Sequence, residues 1–81
     1  NNKVLIEHDV KVGNNCSIAT AAILNGDVKV GRESFIGSGV VTKQSLSIGN
    51  NCVIGAGVVI KTNIEPMKMI KNWVDLNLII Q

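Results

Sequence analysis

Aromatic residues are almost missing from this 81-residue chain, which holds one Phe, one Trp and no Tyr. Single-stranded nucleic acid therefore finds few faces to stack on. Charge does not make up the deficit. The net charge is +2, and the eight basic residues are dispersed from Lys3 to Lys71 rather than gathered in a patch. A single histidine argues against a zinc centre built from several imidazoles. No apolar run approaches the length of a membrane span, and no signal-peptide pattern opens the chain. The first residue is Asn1 rather than Met, as expected of a fragment or a processed product. One small domain is all that this length allows.

What is present is small, aliphatic and periodic. Hydrophobic residues make up 46% of the chain, and they recur every sixth position: Ile6, Val12, Ile18, Leu24, Val30, Ile36, Ile48, Ile54 and Ile60, with Thr42 as the one departure. Two places earlier stand small or aliphatic residues, among them Val4, Val10, Cys16, Ala22, Val28, Ser34, Val40, Leu46, Cys52 and Val58. Gly follows the aliphatic position at 13, 31, 37, 49 and 55. A helix rotates a six-residue repeat steadily around its axis, so it cannot bury this pattern. Short strands can, because residues two apart point to the same side. Gly and Asn tolerate positive φ and can turn the chain after each strand. Three strands and three corners then close one coil of eighteen residues, with coils stacked about 4.8 Å apart. The repeat runs from about residue 3 to residue 65, a little over three coils.

This gapless hexad resembles the hexapeptide-repeat acyltransferases over roughly residues 3–63. The resemblance implies an all-β fold, a left-handed parallel β-helix, which is an exception to the usual right-handed crossover.

Residues eighteen apart should stack into columns, and the outward columns differ. Leu5, Ile23, Val41 and Val59 form an aliphatic one; Lys11, Lys29 and Ser47 a polar one; Ser17, Phe35 and Val53 a mixed one. An outward aliphatic stripe points to self-association, unless the tail or absent chain covers it. The family resemblance implies a homotrimer with active sites between neighbouring helices.

The two near-identical stretches "VGNNCSIA" (12–19) and "IGNNCVIG" (48–55) place Cys16 and Cys52 in one inward column with Ser34 between. Two coil spacings, on the order of 10 Å, are too long for a disulfide. No inward His or acid accompanies them, so they are read as small interior residues rather than a metal site. Free thiols suit a reducing compartment, and a cytoplasmic location is expected.

Chemistry is sought instead at His8, in "IEHD". An imidazole that titrates near neutrality suits the removal of a proton from a hydroxyl or amine nucleophile, and Asp9 is placed to orient the ring. A solvated corner histidine is the alternative reading of the same residues. "IEHD", "GNNCSI" and "LNGDVKVG" are together similar to sugar acyltransferases that modify sialic acid or bacillosamine-type amino sugars. That resemblance implies His8 as general base and Asp9 as its tuning acid. It also implies acetyl-CoA contacts at Ser17, Gly26, Ser38 and Ala56, with no metal. Ser17 stands where the subgroup commonly has a second His. The family's usual C-terminal motif is also absent.

Pro66 is expected to stop the repeat, leaving 1–65 as the β-helix domain and 66–81 as a tail. The tail's periodicity fits a capping helix and a strand equally. The resemblance further implies a nucleotide-sugar-binding domain before the chain, which these residues do not contain. The expected function is acetyl transfer from acetyl-CoA to a sugar or nucleotide sugar, without nucleic-acid or membrane partners. The alternative is a non-catalytic trimerisation module or a remnant of such an enzyme.

Overall fold

The computed structural model describes residues 3–71. These residues form eleven two-residue strands: β1 (Leu5–Ile6), β2 (Lys11–Val12), β3 (Ser17–Ile18), β4 (Ile23–Leu24), β5 (Lys29–Val30), β6 (Phe35–Ile36), β7 (Val41–Thr42), β8 (Ser47–Ile48), β9 (Val53–Ile54), β10 (Val59–Ile60) and β11 (Met69–Ile70). From β1 to β10 every third strand pairs in parallel, and β11 adds to β9, giving three sheets that form the faces of a prism. Face A is β1-β4-β7-β10, face B is β2-β5-β8, and face C is β3-β6-β9-β11. Register is eighteen residues per coil, as in Leu5 opposite Ile23 and Ser17 opposite Phe35. The described residues contain strands and turns and no helix. The fold is the parallel β-helix expected from the hexads, with the left hand that the resemblance implies.

The inward aliphatics fill the prism. Leu24, Ile36, Ile54 and Ile60 are fully buried, with Ala22, Val28, Val40 and Cys52 beside them. Burying each large aliphatic side chain is worth about 1.5–3 kcal/mol. The first coil is less covered: Ile6 is 48% exposed and Val12 38%.

The corners follow the expectation in part: Asn15, Gly39, Asn51 and Gly57 do turn the chain at positive φ. The glycine directly after each inward aliphatic does not supply the positive φ. It permits close stacking: a Cβ on Gly13 would lie 2.6 Å from the Arg32 amide nitrogen. The left-handed residue comes two places later, at Asp9, Asn15, Ala21, Asp27, Glu33, Gly39, Ser45, Asn51, Gly57 and Met67. From the second coil onward these residues donate their amide to the preceding coil, as Asp27 does to the His8 carbonyl at 3.0 Å and Asn51 to that of Arg32 at 2.9 Å.

Pro66 does not end the solenoid. After Ile60 the chain reaches the next inward position at Ile64, which bridges to Ile48, so this corner is two residues shorter than the others. The hexad then resumes, and β11 pairs with β9, Met69 opposite Val53. Pro66 occupies an ordinary corner beside Gly49, and Met67 takes the left-handed position with its amide on the Asn50 carbonyl at 2.9 Å. The β-helix thus extends past the boundary expected at residue 65, and the rest of the tail, 72–81, lies outside the described residues. A single-residue left-handed turn costs a side chain with a Cβ about 1–2 kcal/mol, and Asn tolerates it best. Met67 is 79% exposed at φ 63°. Met67→Asn should therefore raise the thermal midpoint by a few degrees, measured by circular dichroism; an unchanged or lower midpoint would contradict this account of the corner.

Candidate active site

The prism has three edges; five of the six expected site residues fall on two of them, and Ser17 lies on face C. Edge AB, between faces A and B, contains residues 7–10, 25–28, 43–46 and 61–63. Edge CA contains 19–22, 37–40 and 55–58.

His8 and Asp9 share the first corner of edge AB. His8 Nδ1 lies 3.3 Å from Asp9 Oδ2, and both side chains are 80% exposed. The ring rests on the next coil at Gly26. A Cβ there would lie 3.0 Å from both Cε1 and Nε2 of His8, so a larger residue would push the ring a few tenths of an ångström off this corner. Gly26 therefore belongs with the histidine.

The same edge brings an acid that the sequence reading passed over. Asp27 stacks one coil below Asp9, and Ser45 one coil below Asp27; the eighteen-residue spacing was the available signal. The Ser45 side chain, then the Lys29 ammonium at 3.4 Å, hold the Asp27 carboxyl below the ordinary aspartate range, with His8 a smaller contributor. The His8 corner is therefore bordered by two carboxylates, one in contact with the ring and one kept ionised beneath it.

Ser38 and Ala56 lie in one column on edge CA, exposed and eighteen residues apart. Gly39 and Gly57 follow them in the left-handed conformation, and a Cβ on Gly57 would meet nothing. This small-residue edge leaves room for a slender ligand lying along the axis. Ser17 is outward on face C, above Phe35. Face A separates the two sets. The Ser38–Ala56 column and the His8–Gly26 column stand six positions apart along a coil, on the order of 15–20 Å of chain. Within one copy, His8, Asp9 and Gly26 do not meet Ser17, Ser38 and Ala56.

The cysteines take no part. Both are free. Cys16 Sγ donates to the Gly31 carbonyl and Cys52 Sγ to that of Glu65, each at 3.1 Å, and Ser34 Oγ between them donates to Gly49 at 3.0 Å. This inward column ties coil to coil, and the described residues include no group of His, Cys, Asp and Glu suited to a metal ion.

Comparison with known proteins agrees with the repeat. Residues 9–44 match the family model described as bacterial transferase hexapeptide (six repeats). Residues 27–62 match that described as hexapeptide repeat of succinyl-transferase. Together they support placing the chain among the hexapeptide-repeat transferases, a family of acyltransferases. No curated protein and no solved structure matches the chain. No helix among the described residues is long and apolar enough to cross a membrane.

The depressed Asp27 pKa sets a sign. A carboxyl whose folded pKa lies below its unfolded value stabilises the fold above the unfolded pKa, and that contribution is lost as pH falls through the folded one. Ser45→Ala removes the largest cause, so the Asp27 carboxyl should titrate closer to an ordinary aspartate in carbon-detected NMR. A titration identical to wild type would contradict the assignment.

Proposed function

We propose that the chain is the β-helix part of an acetyl-CoA-dependent acyltransferase that acetylates a hydroxyl or amine of a sugar or nucleotide sugar. The observation that carries this reading is the His8 imidazole, seated on Gly26 with a carboxylate at Nδ1, on the edge of a hexapeptide-transferase solenoid.

His8 Nε2 takes the proton of the acceptor hydroxyl or amine as that atom attacks the thioester carbonyl. Asp9 holds the Nδ1–H side and favours the imidazolium that forms. The tetrahedral oxyanion needs a donor, and Ser17 is the candidate side chain. Collapse breaks the C–S bond, and the imidazolium returns its proton to the departing CoA sulfur. The small residues Ser38 and Ala56 let the pantetheine arm lie along edge CA.

Such a site requires more than one copy. Face A carries the aliphatic stripe, with Leu5 48% and Val59 42% exposed and Ile23 and Val41 half-buried. If face A of each copy turns toward a threefold axis, the four stripe residues pack together. Edge AB of one copy then lies beside edge CA of the next. That single arrangement buries the stripe and brings His8 to Ser38 and Ala56 of a neighbour, a heterologous contact that closes as a ring. The free thiols of Cys16 and Cys52 support a reducing, cytoplasmic setting.

Sedimentation should give a trimer at micromolar concentration. His8→Ala should lower acetyl transfer about a hundredfold or more, and Ala56→Trp should block the cofactor edge. Co-refolding the two inactive variants in equal amounts should restore about a quarter of wild-type turnover, because each boundary then has an even chance of an intact residue on either side. No restoration would refute a site shared between copies. Turnover unaffected by His8→Ala would remove His8 as the base, and a wild-type chain without turnover would be a non-catalytic trimerisation module.

A further inference from the structure

Thr42 is the one polar residue in the inward aliphatic series, and it is fully buried. Its neighbourhood departs from the ladder in a specific way. At the ends of β1 and β7 on face A, the next amide donates to the carbonyl seventeen residues on: Glu7 to Leu24 at 2.9 Å and Lys43 to Ile60 at 2.9 Å. At Asn25 the rung is rewired. The backbone amide donates to Thr42 Oγ1 at 3.2 Å, and the Thr42 carbonyl accepts from Asn25 Nδ2 at 2.6 Å. A side-chain hydroxyl and a side-chain amide thus replace one backbone rung with two side-chain–backbone bonds.

This exchange sits immediately before Gly26, the residue on which the His8 ring lies, and two residues before Asp27, whose amide holds the His8 carbonyl. The hydroxyl cannot be an accident of packing alone, because Val has the same shape and would fit the apolar interior without a polar atom to satisfy. Without Oγ1, the Asn25 amide has to return to the carbonyl and displace the Asn25 side chain, which moves the corner that seats the ring.

We propose that Asn25 and Thr42 are positioning residues for His8: their exchange of side chain for backbone sets the Gly26 corner so that the imidazole lies in the orientation that transfer requires. The catalytic consequence rests on the acyltransferase reading; the positioning of the ring does not.

Two measurements separate the two. His8 is the only histidine, so its ring Cε1–H and Cδ2–H signals are the only imidazole resonances in the spectrum. Thr42→Val should displace these resonances. It should also lower kcat about tenfold or more with KM for acetyl-CoA within about twofold, since a displacement of an ångström at a reacting group is costly. Thr42→Ser, which keeps the hydroxyl, should restore both. Val40→Ala, a buried change on the same coil that removes neither Asn25–Thr42 bond, serves as control and should lower the melting temperature without moving the ring signals. Wild-type ring resonances in Thr42→Val, or an equal displacement in Val40→Ala, would overturn the proposal. If Thr42→Val does not fold, Asn25→Ala carries the test: it should displace the ring signals, and wild-type signals would overturn the proposal. If the wild-type chain transfers no acetyl group, the ring resonances still decide the positioning while the acyltransferase reading fails separately.

Discussion

The stacking of each coil on the next through its backbone is the constraint from which the rest of the structure follows. Amides of Leu5, Ile23 and Val41 donate to the carbonyls of Ala22, Val40 and Val58 at 2.7–3.1 Å. Because the strands are two residues long, no sheet is broad enough to stand by itself. Stability comes from repetition: each coil buries its aliphatics against the coils above and below. The same stacking turns sequence into columns, and columns into faces and edges with distinct chemistry.

Those faces are not equivalent. Face B is polar, with Lys11, Lys29 and Ser47 outward. Face A is aliphatic, and face C proves to be apolar over most of its length, with Phe35, Val53 and Met69 at 43%, 37% and 61% exposure. The proposed trimer uses face A. Face C then flanks the edge proposed for the pantetheine arm, and an apolar wall beside a small-residue edge suits a ligand that is part hydrocarbon.

The coils were legible in the sequence because inward and outward positions follow strict counting. The aliphatic stripe, the interior cysteines and the His8–Asp9 corner all come from that count. It failed where the count itself changed. The corner at 61–63 is two residues short, which puts Met69 and Ile70 out of phase with the hexads, makes Pro66 read as a stop, and leaves Met69 out of the face C column. The corner chemistry was half legible: Asn15, Asn51, Gly39 and Gly57 take the left-handed positions as expected, but Asp, Ala, Glu, Ser and Met take the others, and the glycines directly after the inward aliphatics serve stacking. Thr42 was visible as a departure, yet its partner Asn25 was not. That pairing depends on a rewired rung, and no periodicity encodes it. The separation of the two sets of site residues onto different edges also needed the closed prism.

The short corner at 61–63 has a wider consequence. Losing two residues there leaves Ile64 on Ile48 and Met69 on Val53, so the downstream coil keeps its seat although the count is broken. Position in this fold is held by the neighbour in space rather than by distance along the chain. A corner is therefore a joint at which length can vary without disturbing the layers on either side. Edge AB, which carries His8, is the edge where such variation has already occurred. Loops of other lengths on that edge would reshape the surroundings of the imidazole while the coils beneath it stay as they are.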